Sequence, residues 1–204
     1  MKTYLLHGFN VRDGGADTVE MLRPFLREHP GSTTVKSWKY GWFGLLSVLF
    51  KNKIVAKRLA MAHAQVYPVS PCYAVGHSNG CAILLRAAQL GMEFKTLLLI
   101  NPALNVDTVF PPNIRQVIVV HTEDDVPTRV ARWFDRIPFI GLIIPNAWGA
   151  MGAYGYEGSD PRVMNIDLTG ILEGHSDLFE VKNAFYMEKV VGLLYNVSPG
   201  VKII

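Results

Sequence analysis

The chain has 204 residues, which is enough to bury a sizeable apolar core, and we expect a single globular domain over residues 1–204. Half of the residues are hydrophobic and 18% are charged, a balance that excludes a disordered or coiled-coil protein. The net charge is +3 and no long basic run concentrates it, so we expect no nucleic-acid partner.

Strand and helix patterns alternate along the chain, with no internal repeat and no low-complexity linker. The predicted strands cover residues 3–8, 33–38, 72–77, 96–103, 115–121 and 162–168. The predicted helices cover about residues 18–28, 45–64, 79–91 and 177–195. Continuous apolar strands that alternate with helices indicate a three-layer α/β/α sandwich with a mostly parallel central sheet.

The sequence GHSNG at residues 76–80 lies at the junction of a predicted strand and a predicted helix, the setting in which a GxSxG pattern places a nucleophile. Gly76 and Gly80 lack side chains, so a strand and a helix can approach each other across a tight turn. Ser78 is therefore the predicted catalytic nucleophile. A serine hydroxyl is a weak nucleophile on its own, so a general base is required.

His175 is the predicted base, because it lies between the last predicted strand and the closing helix, where it can reach the sheet edge. Imidazole can take up and return a proton near neutral pH. His7, His77 and His121 also stand at strand ends. They fit less well, because the order nucleophile, acid, base leaves His175 as the histidine that follows the acid.

The acid is expected in the sequence HTEDDVP, directly after the predicted strand at 115–121. Asp125 is preferred for its reach from the strand end, whereas the Val-Pro that follows favours Asp124, and the sequence leaves both open. The acid would orient the imidazole and stabilise the imidazolium. The other aspartate is predicted to be a solvated cap for a helix around residues 129–134.

Two backbone N–H groups are predicted to form an oxyanion hole. Asn79 follows the nucleophile and begins a helix, so its N–H points to the place where a tetrahedral oxyanion forms. Phe9 lies in the sequence HGFN at residues 7–10, just past Gly8 at the end of the first strand, and is the second predicted donor.

These motifs, in this order, resemble the α/β-hydrolase superfamily: HGF after an early strand, GHSNG at a strand-to-helix turn, an aspartate after a later strand, and GHS before the last helix. The resemblance covers nearly the whole chain. It implies the α/β-hydrolase fold and a serine hydrolase or esterase. The gap between residues 101 and 115 is too short for the cap domain that many members carry there, so the chain resembles the small members without one. The superfamily includes many chemistries, so the resemblance does not choose a substrate.

Two aromatic segments, 38–50 and 138–156, are candidates for an apolar acyl-binding wall or a mobile lid, with core packing as the alternative. The predicted substrate-binding residues are Trp42, Trp148 and Tyr154. The sequence thus predicts hydrolysis of a small carboxylic ester or thioester with an apolar acyl group. One alternative is a non-catalytic binding or interaction protein of the same fold. Another is a lipase-like enzyme that docks on an anionic membrane surface through the aromatic stretch with Lys51, Lys53, Lys57 and Arg58.

No metal or cofactor is expected, since neither metal-ligand spacing nor a phosphate-binding glycine loop is present in the sequence. The residues before LLHG are too few for a secretory signal, and the longest apolar run, 40–50, falls short of the roughly 20 residues that span a bilayer. We therefore expect a cytoplasmic protein.

Overall fold

The computed structural model describes residues 2–9, 11–29, 34–41, 45–67, 70–134 and 149–195. Its centre is a six-stranded sheet in which every pair of neighbouring strands is parallel. The strands are β1 (Lys2–Leu6), β2 (Thr34–Ser37), β3 (Cys72–His77), β4 (Phe94–Ile100), β5 (Val117–His121) and β6 (Val163–Asp167). The helices are α1 (Arg23–Glu28), α2 (Leu45–Val66), α3 (Asn79–Gln89), α4 (Val126–Phe134), α5 (Met151–Tyr154) and α6 (Ala184–Tyr195).

The strand order is β2-β1-β3-β4-β5-β6. The second strand, β2, thus lies on one side of β1, and strands β3 to β6 follow one another on the other side. The direction reverses between β1 and β3. In open parallel sheets, this reversal leaves a crevice at the carboxyl ends of the two strands, where ligands bind. HGF follows β1, and GHSNG spans the end of β3 and the start of α3.

Alternate strand residues face two separate cores, one on each side of the sheet. Leu6 and Ala74 pack against α2 and α3 on one side, whereas Leu5 and Val75 pack against α1 and α6 on the other. Because both faces are covered, β3 is buried at every position. The predicted three-layer sandwich is confirmed, and every described strand pairing is parallel.

The first and last helices differ from the sequence prediction. The segment predicted as one helix over 18–28 consists of a 3-10 turn, Val19–Leu22, followed by α1. Pro24 lies in the first turn of α1, the position that tolerates its missing N–H. The segment predicted as a helix over 177–195 begins with two 3-10 turns, and regular α-helix starts at α6.

In the described part of the chain, no helix is long and apolar enough to cross a membrane.

Candidate active site

Ser78 occupies a sharp turn between β3 and α3. Its backbone has φ 52° and ψ −122°, a left-handed conformation that a residue with a side chain rarely adopts. The turn is held on both sides: the Ser78 N–H donates to the Ile100 carbonyl at 3.0 Å, and the Ser78 carbonyl accepts from Cys81 N–H at 3.1 Å. A strained backbone fixed in this way presents the hydroxyl at the carboxyl edge of the sheet.

The two glycines of GHSNG allow this turn to close. A Cβ on Gly80 would lie 2.5 Å from the Leu6 carbonyl oxygen, because α3 begins directly against the end of β1. A Cβ on Gly76 would lie 2.9 Å from the backbone nitrogen of Cys81. Both separations are shorter than van der Waals contact, so the close approach of strand and helix requires glycine at both positions.

The loop after β1 passes beside the nucleophile. A Cβ on Gly8 would lie 3.1 Å from Cβ of Ser78, so the backbone at this point almost touches the serine side chain. Phe9 follows in a turn and is half-buried. Asn79 is the first residue of α3, a position whose backbone N–H has no acceptor within the helix. Gly8, which precedes Phe9, and Asn79 thus both adjoin Ser78, and the donor roles of the Phe9 and Asn79 N–H groups stay predictions.

His175 pairs with Asp125 and not with Asp124. The distance from His175 Nδ1 to Asp125 Oδ2 is 2.8 Å. Asp125 is fully buried at 0% exposure, whereas the neighbouring Asp124 is exposed. A buried carboxylate that accepts from Nδ1 holds the imidazole in the tautomer that leaves Nε2 free to accept a proton.

Asp125 also caps α4, so the prediction that the other aspartate would be the cap is wrong. Asp125 directly precedes α4, and its Oδ1 accepts the backbone N–H of Thr128 at 3.1 Å. The two carboxylate oxygens thus have separate partners, His175 and Thr128. The cap fixes the side chain because it satisfies an N–H that the helix leaves without an acceptor.

Two further side chains hold the backbone of His175, a role for which no prediction was made from the sequence. His77, the last residue of β3, donates from Nε2 to the His175 carbonyl oxygen at 3.0 Å, and Asn101 donates from Nδ2 to the same oxygen at 2.9 Å. Asn101 directly follows β4 and has a left-handed backbone, with φ 44°. With Asp125 after β5, three neighbouring strand ends each contribute one contact to His175. The position of both residues at the carboxyl edge is the signal that could have found them.

His77 is neutral in this arrangement. Burial is the main cause that lowers its pKa to about 3, and the neighbouring His175 lowers it further. Because a carbonyl can only accept, Nε2 of His77 carries the proton. Nδ1 is buried and has no hydrogen-bond partner among the described residues.

The other histidines at strand ends, His7 and His121, have other side-chain neighbours. His7 stacks on Tyr40 with ring centroids 4.1 Å apart, and burial lowers its pKa. Burial also lowers the pKa of His121, which lies 3.9 Å from Asp167 across β5 and β6. Among the described residues, no three His, Cys, Asp or Glu side chains form a group that could hold a metal ion.

Of the predicted substrate-binding residues, Trp42 and Trp148 lie outside the described residues. Tyr154 ends α5 and is half-buried. This helix packs against the acid: a Cβ on Gly152 would lie 2.6 Å from Asp125 Oδ2. A Cβ on Gly149 would lie 2.0 Å from the Leu104 carbonyl carbon. These two glycines therefore allow close packing at the sheet edge, which agrees with the core-packing alternative for residues 149–156, whereas residues 138–148 lie outside the described residues.

No family model and no curated protein matches the chain, whereas many solved structures do. An α/β serine hydrolase without a lid from Xanthomonas campestris matches with a TM-score of 0.59 and 15% identity, covering 97% of this chain and 84% of that chain. The esterase domain of a Rhodothermus marinus protein matches with a TM-score of 0.55 and 14% identity, covering 94% and 85% respectively. The NocB thioesterase domain, solved in a covalent complex with a fluorophosphonate nocardicin G analogue, matches with a TM-score of 0.54 and 13% identity, covering 96% and 94%. These likenesses show that the chain has the α/β-hydrolase fold.

Proposed function

We propose that the protein is a serine hydrolase that cleaves a carboxylic ester or thioester through an acyl-enzyme on Ser78, with His175 as general base and Asp125 as the acid of the triad. One observation carries the proposal. A serine in a strained left-handed turn shares the carboxyl edge of the sheet with a histidine that is bonded to a buried carboxylate. Structural neighbours named as esterase and thioesterase support the same class of reaction.

In the first step, Ser78 Oγ attacks the carbonyl carbon of the substrate while Nε2 of His175 takes the hydroxyl proton. Asp125 keeps its negative charge, and its bond to Nδ1 stabilises the imidazolium that forms. The imidazolium then gives its Nε2 proton to the departing alcohol or thiol, and the carbon bond to that group breaks. This half-reaction yields the acyl-enzyme and the free alcohol or thiol.

In the second step, water attacks the acyl carbon and gives a proton to Nε2 of His175. The tetrahedral intermediate collapses, the bond to Ser78 Oγ breaks, and the serine recovers its proton from the imidazolium. The carboxylic acid is released and the enzyme returns to its starting state.

Both tetrahedral intermediates carry a negative oxygen beside the turn. The backbone N–H of Asn79 and the backbone N–H of Phe9 are the donors in this proposal, one from the start of α3 and one from the loop after β1. Backbone donors fixed before the reaction stabilise the oxyanion without reorganising, and one such donor typically changes kcat by roughly a hundredfold or more.

The test is covalent labelling by a fluorophosphonate probe together with hydrolysis of short p-nitrophenyl esters. Wild-type protein should react with the probe and turn over the esters, and Ser78→Ala should lose both. Ser176→Ala is the matched control, because Ser176 is exposed and adjacent to the proposed base, and it should retain both. Labelling of Ser78→Ala at the wild-type rate would refute the proposal, and no labelling of wild-type protein would favour a non-catalytic binding protein.

The substrate in this proposal has an apolar acyl group, and Tyr154 of α5 contributes to its binding. Oxygen esters and thioesters of graded acyl length distinguish the two substrate classes. Tyr154→Ala should raise KM more for long acyl chains than for acetyl, and an equal effect on all chain lengths would exclude Tyr154 from the acyl site.

A further inference from the structure

The positive charge of the protein is concentrated in one part of the chain. Residues 29–92 contain seven Lys and Arg residues and no Asp or Glu, whereas the remaining residues contain 13 Lys and Arg against 17 Asp and Glu. This segment includes α2. A single-sign field of this kind attracts a partner of the opposite charge.

Four residues of α2 form a stripe on its exposed side: Ile54, Lys57, Arg58 and Met61. Their spacing of three, four and seven residues places them on one face of a helix. All four are exposed, and the apolar side chains of Ile54 and Met61 are 51% and 53% exposed. Lys53 is exposed beside the stripe. The opposite side of α2 is buried in the core through Val55, Ala56 and Leu59.

Exposed apolar residues also occur near α6, on the opposite side of the sheet from α2, but with different charges around them. Val181 and Phe185, near the start of α6, are 77% and 57% exposed. Exposed carboxylates flank them in sequence, at Glu180 and Glu188. Lys182 and Lys189 are also exposed there, and Lys182 pairs with Glu173 and Glu180, so the charges around this patch balance. The stripe on α2 itself carries two cations and no carboxylate, although the exposed Glu93 lines the same cavity as Lys57 and Met61.

We propose that the exposed stripe of α2 binds the surface of an anionic phospholipid bilayer, with Lys57 and Arg58 at the headgroups and Ile54 and Met61 inserted at the acyl boundary. Cationic and apolar side chains on one helix face are the combination that interfacial binding requires. A nucleic acid would use the cations and leave the apolar side chains in water, whereas a bilayer takes up both kinds of side chain, so the exposed Ile54 and Met61 favour the bilayer over a nucleic acid.

The N-terminal part of α2 lies next to the turn that carries Ser78. Asn52 of α2 and Asn79 form a reciprocal pair of amide hydrogen bonds, 2.7 Å from Asn52 Nδ2 to Asn79 Oδ1 and 3.0 Å from Asn79 Nδ2 to Asn52 Oδ1. Asn79 directly follows Ser78, and Asn52 precedes the stripe by two residues. Asn52 lies on the side of α2 that faces the core, roughly opposite the stripe, so docking would hold the protein at the bilayer without inserting the crevice into it. This part rests on the proposed function and assigns membrane-resident esters as the substrate class.

The first experiment measures binding without catalysis. Protein carrying Ser78→Ala is co-sedimented with vesicles of phosphatidylcholine containing about a third phosphatidylserine, and it should bind, with binding lost at high salt. In that background, Lys57→Glu/Arg58→Glu should lower the partition coefficient by roughly thirtyfold or more, from the contribution of each basic residue near an anionic surface. The control is Arg27→Glu/Lys189→Glu, which makes the same charge change at exposed positions of α1 and α6 and should bind like the parent.

A second pair of variants tests the apolar side chains. Ile54→Ser/Met61→Ser should weaken vesicle binding, and Val181→Ser/Phe185→Ser should not. The proposal would be overturned if either the charge variant or the apolar variant of α2 bound vesicles as well as its control. It would also be overturned if the parent protein did not bind anionic vesicles. Binding to double-stranded DNA in place of vesicles would overturn it as well.

The second experiment separates docking from hydrolysis in catalytically intact protein. For Lys57→Glu/Arg58→Glu, the ratio of the rate on a vesicle-embedded ester to the rate on a soluble ester should fall relative to wild type. An unchanged ratio would overturn the substrate assignment. If neither ester is cleaved while the vesicles still bind, the proposed function fails and the docking surface stands.

Discussion

Substitution of Asp125 separates a catalytic contribution from a structural one, because its two oxygens have different partners. Oδ2 lies 2.8 Å from His175 Nδ1, and Oδ1 accepts the Thr128 N–H at 3.1 Å. Asp125→Asn keeps an oxygen that can cap α4 but removes the negative charge. Asp125→Ala removes both interactions. Asp124→Asn is the matched control, since Asp124 is the exposed neighbour.

The expected magnitudes follow from these contacts. An asparagine that keeps its oxygen on Thr128 presents an NH2 group to His175, which favours the wrong imidazole tautomer, and loss of the carboxylate from such a triad typically lowers kcat by roughly 10⁴. That loss corresponds to about 5.5 kcal/mol of transition-state stabilisation. Asp125→Asn should change the free energy of unfolding little, because Asn and Asp are comparable caps, whereas Asp125→Ala should lower it by a further 0.5–2 kcal/mol or so.

Steady-state hydrolysis of a short p-nitrophenyl ester gives the catalytic effect, and urea unfolding gives the stability of each variant. Asp124→Asn should stay within about twofold of wild type in kcat, since an exposed group contributes little across solvent. If Asp124→Asn loses as much activity as Asp125→Asn, or if both retain it, Asp125 is not the acid and the assignment from the 2.8 Å contact is refuted.

Loss of a donor to the His175 carbonyl, by His77→Leu or Asn101→Leu, should lower kcat with little change in KM, and His77→Gln should recover part of it; a KM effect alone would contradict a positioning role. The pKa of His77 is about 3 in the folded protein, against the ordinary value of 6.5. Between these two pH values the unfolded protein binds a proton that folded His77 does not, so the free energy of unfolding should fall as the pH drops through this range. His77→Leu should reduce that slope by about 1.4 kcal/mol per pH unit in urea unfolding, and an unchanged slope would show that His77 is not buried and neutral. Gly80→Ala should destabilise by several kcal/mol, since its Cβ would lie 2.5 Å from the Leu6 carbonyl oxygen, whereas Gly192→Ala on α6 meets no atom within 4 Å and should stabilise by about 0.5–1 kcal/mol. Similar unfolding free energies for these two variants would contradict the close approach of α3 to β1.

The four central strands, β1, β3, β4 and β5, were predictable from the sequence because each contains a short apolar run with a clear end. The strand predicted at 72–77 matches β3 residue for residue, and the helix after it differs at its C-terminal end by two residues. The helix predicted at 18–28 was less regular than expected, since periodicity does not distinguish one turn of 3-10 helix from the start of an α-helix.

By itself, the sequence determined the layered parallel fold and the place of Ser78, because apolar periodicity and the glycines of GHSNG act over a few neighbouring residues. Only the tertiary structure decided between Asp124 and Asp125 as the partner of His175, since adjacent residues at a helix start point in different directions and one becomes buried. The same holds for His77 and Asn101, which are 98 and 74 residues from His175 and meet it because parallel strands end at one edge. Contacts between distant segments depend on strand order and register, which local patterns do not encode.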